Sequence, residues 1–126
     1  MSSWWLVAVG SACGGMLRYA LARLFPTLPD AWPLATMLAN LSGCFAIGVV
    51  AALIALRAPE TGEGLRLFWM TGVLGGFTTW SAFALESTLL LGGGQALRGG
   101  LYLLVTVIGC IAAAFAGRAA VALLKG

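Results

Sequence analysis

The sequence has no histidine, and charged residues make up only 9% of its 126 positions. Its three cysteines, Cys13, Cys44 and Cys110, show no pairing at ligand spacing. A zinc or iron site therefore has nothing to be built from, and a conventional hydrolase active site is not expected. An odd number of thiols, all within apolar stretches, argues against a disulfide framework and suits small sulfur side chains packed between helices. The net charge of +3 comes from residues scattered singly near the ends of apolar stretches. No basic patch forms, so nucleic acid is not an expected partner.

What fills the chain instead is apolar: 61% of the residues are hydrophobic and the mean hydropathy is +1.01. Water is the wrong solvent for such a chain, and a lipid bilayer is the expected one. A spanning helix needs about 20 mostly apolar residues. Turn and charged residues cluster at Phe25–Asp30, Arg57–Gly64 and Gly92–Gln95, leaving four apolar blocks at about Ser3–Leu24, Pro33–Leu56, Leu65–Leu91 and Ala96–Leu124. The reading is an all-α membrane protein, residues 1–126 forming a single domain of four transmembrane helices with nothing left for a soluble domain. Ala20-Leu21-Ala22 has the small-x-small form of a signal-peptide cleavage site, but the charge follows the apolar run instead of preceding it, so a cleaved leader is not expected.

With four spans, Arg57, Arg66 and Lys125 fall on one side and Arg23 and Arg98 on the other; adding the more interior Arg118 and Arg18 keeps the difference at one residue. Orientation follows the excess of Lys and Arg. Two readings remain: a weak bias to one orientation, or insertion both ways up, in which case two opposite copies can pair around an axis in the membrane plane.

Two charged residues lie within the blocks at matching depth, Arg18 and Glu86, and Asn40 lies level with them. They form an ion pair or shared polar cluster, or the two charges snorkel to the interface. The third block reads Thr71-Gly72-Val73-Leu74-Gly75-Gly76-Phe77-Thr78-Thr79-Trp80-Ser81-Ala82-Phe83-Ala84-Leu85-Glu86. Paired glycines before two β-branched threonines make a poor helix interior. A break near Thr78, the middle of the block, is expected, and freed carbonyls at such a break can hold a cation. The competing reading is a packing face, because Gly72 and Gly76 form a GxxxG. Gly10 and Gly14 form another, and Ala39 and Gly43 are small-xxx-small. Trp4, Trp5, Trp32 and Trp69 sit near block ends, as interfacial anchors do, while Trp80 belongs to the membrane interior.

Three stretches in order, Gly10–Tyr19, Pro33–Gly43 and Thr71–Glu86, together resemble the small bacterial fluoride channels called Fluc or CrcB, the third being the most specific. The resemblance implies a multi-pass protein of the cell inner (plasma) membrane that lets fluoride leave passively and confers fluoride resistance. It also implies a dual-topology antiparallel dimer with two pores and a structural sodium ion on its two-fold axis. The sodium ligands would be backbone carbonyls of Gly75 and Thr78. Asn40, Ser81, Thr106 and the aromatic pair Trp80 and Phe83 would line the pore, with Arg18, Thr79 and Glu86 in support. Fluoride is strongly hydrated, so amide and hydroxyl donors and the positive edges of aromatic rings must replace its water.

This chain departs from the family pattern at Trp80 (Phe in the family), Ala82 (Thr), Cys110 (usually Ser), Ala114 (often polar) and Ala35 (Gly). Three readings follow: a conducting homodimer of altered rate, a subunit paired with a sister chain, or a poorly conducting variant. Outside the family, the rivals are a proton-coupled small multidrug transporter, which needs a first-helix carboxylate that Ser3–Leu24 lacks, and a non-transporting membrane subunit.

Overall fold

The computed structural model describes residues 2–28 and 31–126. Pro29 and Asp30, the end of the first expected loop, lie outside the described residues. Helix α1 spans Ser3–Leu24, α2 Leu34–Ile54 and α6 Ala96–Lys125. With 22, 21 and 30 residues, each is long and apolar enough to cross a membrane. At 1.5 Å per residue the shortest extends about 31 Å, the thickness of a hydrocarbon core. These three nearly coincide with the blocks drawn from the sequence.

The third block differs in two ways. Its helix begins earlier, as α3 (Pro59–Leu65), inside the segment expected to be a loop. Pro59 occupies the first turn, where a fixed φ and a missing N–H cost nothing, and Glu60 complements the positive helix start. The chain then winds more widely, as a π-helix over Arg66–Leu74, before one turn of α4 (Gly75–Phe77). The π-winding has no counterpart in the sequence expectations. Thr78 (φ −79°, ψ 155°) and Thr79 (φ −148°, ψ 111°) are extended, and α5 restarts at Trp80 and runs to Gly92. The helix therefore does break at Thr78. A short turn with Gly94 at φ +77°, a conformation glycine adopts without penalty, leads to α6.

Both readings of the third-block glycines hold together. A Cβ on Gly10 would come within 2.9 Å of Gly72 Cα, one on Gly76 within 2.6 Å of Ser11 O, and one on Gly14 would run into Val73 O. The two GxxxG motifs meet, so α1 lies directly against the backbone of the segment that ends in the break. On the other side, α2 and α6 touch backbone to backbone: a Cβ on Gly48 would collide with Ala114 O and one on Gly117 with Phe45 O. Ala39 is fully buried, and the missing side chain of Gly43 leaves room for the Thr78 methyl. Phe83, Leu90 and Tyr102 form a small core, with Trp32 packed on it. Trp32, near a block end, thus also packs on this core. Trp80 is 73% exposed on the surface of the chain. Much of the remaining surface carries exposed Leu, Ile, Val, Phe and Trp side chains, which lipid or a second chain can cover and water cannot.

Candidate functional site

The break is held open by a side chain from another helix. Asn40, buried on α2, accepts a hydrogen bond from Thr79 N (2.8 Å) and donates one to Thr79 O (3.1 Å). The first bond replaces the helical partner that the Thr79 amide gives up, and the second adds to the carbonyl that opens α5, which is why two extended residues can persist inside an apolar bundle. Thr78 closes the turn before it, with its amide (3.0 Å) and hydroxyl (2.9 Å) both on Leu74 O. Thr79 caps the helix after it, its Oγ1 accepting from Ala82 N (3.2 Å) and lying 3.4 Å from Ser81 Oγ.

The break takes four carbonyls, those of Gly75, Gly76, Phe77 and Thr78, out of the helical ladder, and for two of them the diverted donor is seen. The amide four residues beyond Gly75 belongs to Thr79 and goes to Asn40; the one four beyond Thr78 belongs to Ala82 and goes to the Thr79 hydroxyl. Gly75 lies on the exposed side of the chain and Thr78 is half-buried. A third carbonyl, Gly76 O, accepts from Arg18 Nε on α1 (3.2 Å).

Next to the break is a cavity of about 320 Å³, lined by Asn40, Thr78, Thr79, Trp80, Phe83 and Thr106, with Cys44, Cys110, Val107 and Ile111 completing its wall. Within it Thr106 is 3% exposed, and its Oγ1 is a buried side-chain polar atom with no partner among the described residues. A buried unpaired hydroxyl is costly enough to need an explanation. Trp80 and Phe83 sit with ring centroids 5.1 Å apart at 57°, and Phe83 meets Tyr102 at 5.2 Å and 53°. The rings are tilted, so edges as well as faces are presented.

Glu86 lies one to two turns beyond, held by Thr36 Oγ1 on Oε1 (2.6 Å) and Tyr102 OH on Oε2 (2.8 Å). Arg18 and Glu86 have separate partners, so the ion pair offered as one reading does not form in the structure. Of the residues singled out from the sequence, Asn40, Thr78, Thr79, Trp80, Phe83 and Thr106 share one cavity. Ser81 is exposed, its Oγ 3.4 Å from Thr79 Oγ1, and is not part of the lining; nor are Gly75, which is exposed, and Arg18, which holds Gly76 O; Glu86 forms a separate cluster. Thr36 and Tyr102 were not anticipated. Tyr102, the polar-tipped aromatic of the last block, was the available signal, since a buried phenol needs an acceptor.

A family model described as CrcB-like protein, Camphor Resistance (CrcB), matches residues 5–118. The chain is 42% identical over 118 residues to a protein of Hyphomonas neptunium named fluoride-specific ion channel FluC, covering 93% of each. It is 46% identical over 115 residues to one of the same name from Rhizobium leguminosarum bv. trifolii, covering 90% of this chain and 91% of the relative. Fluoride-specific ion channel FluC 2 of Nocardia farcinica is 40% identical over 114 residues, covering 90% and 81%.

Proposed function

The chain belongs to the CrcB-like family, and from that premise we propose that it is a fluoride-selective channel of the cell inner membrane, working as an antiparallel dimer. The activity is passive conduction, so it is not an enzyme. The observation that carries the reading is the Thr106 hydroxyl, without a partner among the described residues, inside a cavity that also holds the Asn40 amide and the Trp80 and Phe83 rings. A small hydrated anion entering there needs donors in place of water, and Thr106 has one to give. The Asn40 amide has two N–H groups, of which one is spent on Thr79 O; the second is the other donor in our reading. The edges of Trp80 and Phe83 add positive quadrupole density without a fixed cation that would trap the ion. Ser81 and the Glu86–Thr36–Tyr102 cluster lie further along the proposed path, with Thr79 and Arg18 holding the break in shape.

A structural sodium ion fits the same break. Hard cations prefer oxygen ligands, and Gly75 O and Thr78 O are two of the carbonyls at the break whose helical donors go elsewhere. One chain offers too few ligands, and the exposure of Gly75 is what a shared site between two opposite copies requires. The ion would join the two breaks and hold the dimer together.

The test is reconstitution in liposomes loaded with potassium fluoride, with fluoride loss followed by electrode after a potassium ionophore is added. Rapid fluoride loss without chloride loss is expected. Absence of fluoride loss from verified dimers overturns the reading of the chain as a self-sufficient channel, and a requirement for a proton gradient points to a coupled transporter instead.

A further inference from the structure

Two thiols share the cavity wall. Cys44 on α2 and Cys110 on α6 both line it, and they stand level across the contact of the two helices, since Gly48, one turn after Cys44, meets Ala114, one turn after Cys110. Their positions are not free to drift. The contact that a Cβ on Gly117 would break is with Phe45 O, next to Cys44, and the one at Gly48 is with Ala114 O, one turn from Cys110. Both contacts lie C-terminal to the pair, and on its other side Gly109 packs against the Leu41 side chain, 2.8 Å from where a Cβ would stand, so the crossing of α2 and α6 is held along the pair. The chain has no histidine, and among the described residues no carboxylate lines the cavity. Among the described residues no group of three or more His, Cys, Asp or Glu could hold a metal ion. An ion that demands four ligands, such as zinc, is poorly served; one content with two sulfurs is well served.

We propose that Cys44 and Cys110 form a two-thiolate site for a soft divalent cation of the mercuric type, and that its occupation closes the cavity to the anion. The second half rests on the reading of the chain as a fluoride channel. Binding breaks two S–H bonds and forms two S–metal bonds, and both protons leave to water; nothing is oxidised or reduced. The product carries no net charge, which an apolar cavity tolerates. A monovalent soft ion would leave one negative charge there, at the cost that intramembrane charge carries. The bridge ties α2 to α6 across the cavity and removes both S–H groups from its wall. Cys13, exposed on α1, is outside this arrangement and offers only a single sulfur.

The experiment uses the full chain with Cys13→Ser, purified and reconstituted. One equivalent of mercuric chloride is added, followed by glutathione as a monothiol competitor, and bound metal is read by intact mass and by sulfur–mercury absorption. One mercury per chain is expected to be retained. Cys44→Ser and Cys110→Ser should each release it at about 100-fold lower competitor concentration or less, because the second sulfur binds intramolecularly. Alanine variants serve where a serine variant elutes aggregated. Equal retention by the single-cysteine variants overturns the site. Zinc retained as firmly as mercury overturns its two-coordinate character. In the flux assay, mercury should reduce fluoride loss in the Cys13→Ser protein to that of protein-free liposomes and a dithiol should restore it, whereas with Cys44→Ser the monothiol competitor alone should reverse any loss that mercury causes. Retained mercury with undiminished flux overturns the closure. Absence of flux before any mercury is added overturns the channel reading, while the retention measurement still decides the site.

Discussion

Thr106 and Asn40 are both buried polar residues on apolar helices, and the structure gives them opposite accounts. Asn40 is committed: its amide makes two hydrogen bonds to the backbone of Thr79. Asn40→Leu leaves the Thr79 amide without a partner inside the bundle, a loss of about 1–3 kcal/mol. A clearly lowered thermal midpoint in detergent is the expected outcome, and an unchanged midpoint would contradict the clamp. Thr106 Oγ1 has no partner among the described residues, so Thr106→Val, which keeps the shape, should leave stability unchanged or raise it by about 1 kcal/mol. If the hydroxyl serves the passing ion, fluoride efflux nevertheless falls. A drop in flux together with an intact or improved midpoint separates a conducting role from a packing one, and unchanged flux removes Thr106 from the path.

The elements were legible to different degrees, and the reason lies in what an apolar environment hides. The spans α1, α2 and α6 follow from the length of apolar runs alone, and the break follows from Gly75-Gly76 before Thr78-Thr79. The start of α3 was missed because Pro59 and Gly62 look like loop residues, although a proline also opens helices. The π-winding over Arg66–Leu74 was missed because no residue type marks it. Asn40 stood out as the one amide in its block, whereas Thr36 was one hydroxyl among many and its partnership with Glu86 depends on the approach of α2 to α5. Gly10 and Gly14 were legible as a GxxxG but their partner was not, since small residues announce close contact without naming the helix that comes close. That contact gives a sharp comparison on one helix. A Cβ at Gly14 would meet Val73 O and lie 2.8 Å from Phe77 N, while one at Gly15 meets nothing within 4 Å. Gly14→Ala should push α1 off the break, at a cost of about 1–3 kcal/mol or more because the obstacle is backbone. It should appear as a lowered midpoint and loss of a single elution peak, whereas Gly15→Ala keeps both. Equal behaviour of the two variants would show that α1 does not pack through Gly14.

For the whole molecule, the decisive quantity is a charge balance, because the fold by itself says nothing about which way up it lies. Arg57, Arg66 and Lys125 on one side against Arg23 and Arg98 on the other differ by a single residue, and orientation responds to the Lys and Arg excess near the ends of the spans. Our reading of the Gly75 and Thr78 carbonyls as half of a shared cation site requires two opposite copies, so near balance is a functional requirement in that reading. Arg23→Gln with Arg98→Gln removes both interfacial cations from one side and should drive the chain into one orientation, with the C-terminus on the cytoplasmic side. Reporters fused to the C-terminus, one active only in the cytoplasm and one only outside it, should both be active with the unaltered chain and only the cytoplasmic one with this variant. Fluoride efflux from cells carrying the variant alone should be lost, because no antiparallel partner is made. Supplying a second copy with Arg57, Arg66 and Lys125 each changed to Gln, which is biased the opposite way, should restore it. A C-terminus found on one side only in the unaltered protein, with full fluoride efflux, would rule out the antiparallel pair. Full efflux from the one-sided variant alone would do the same.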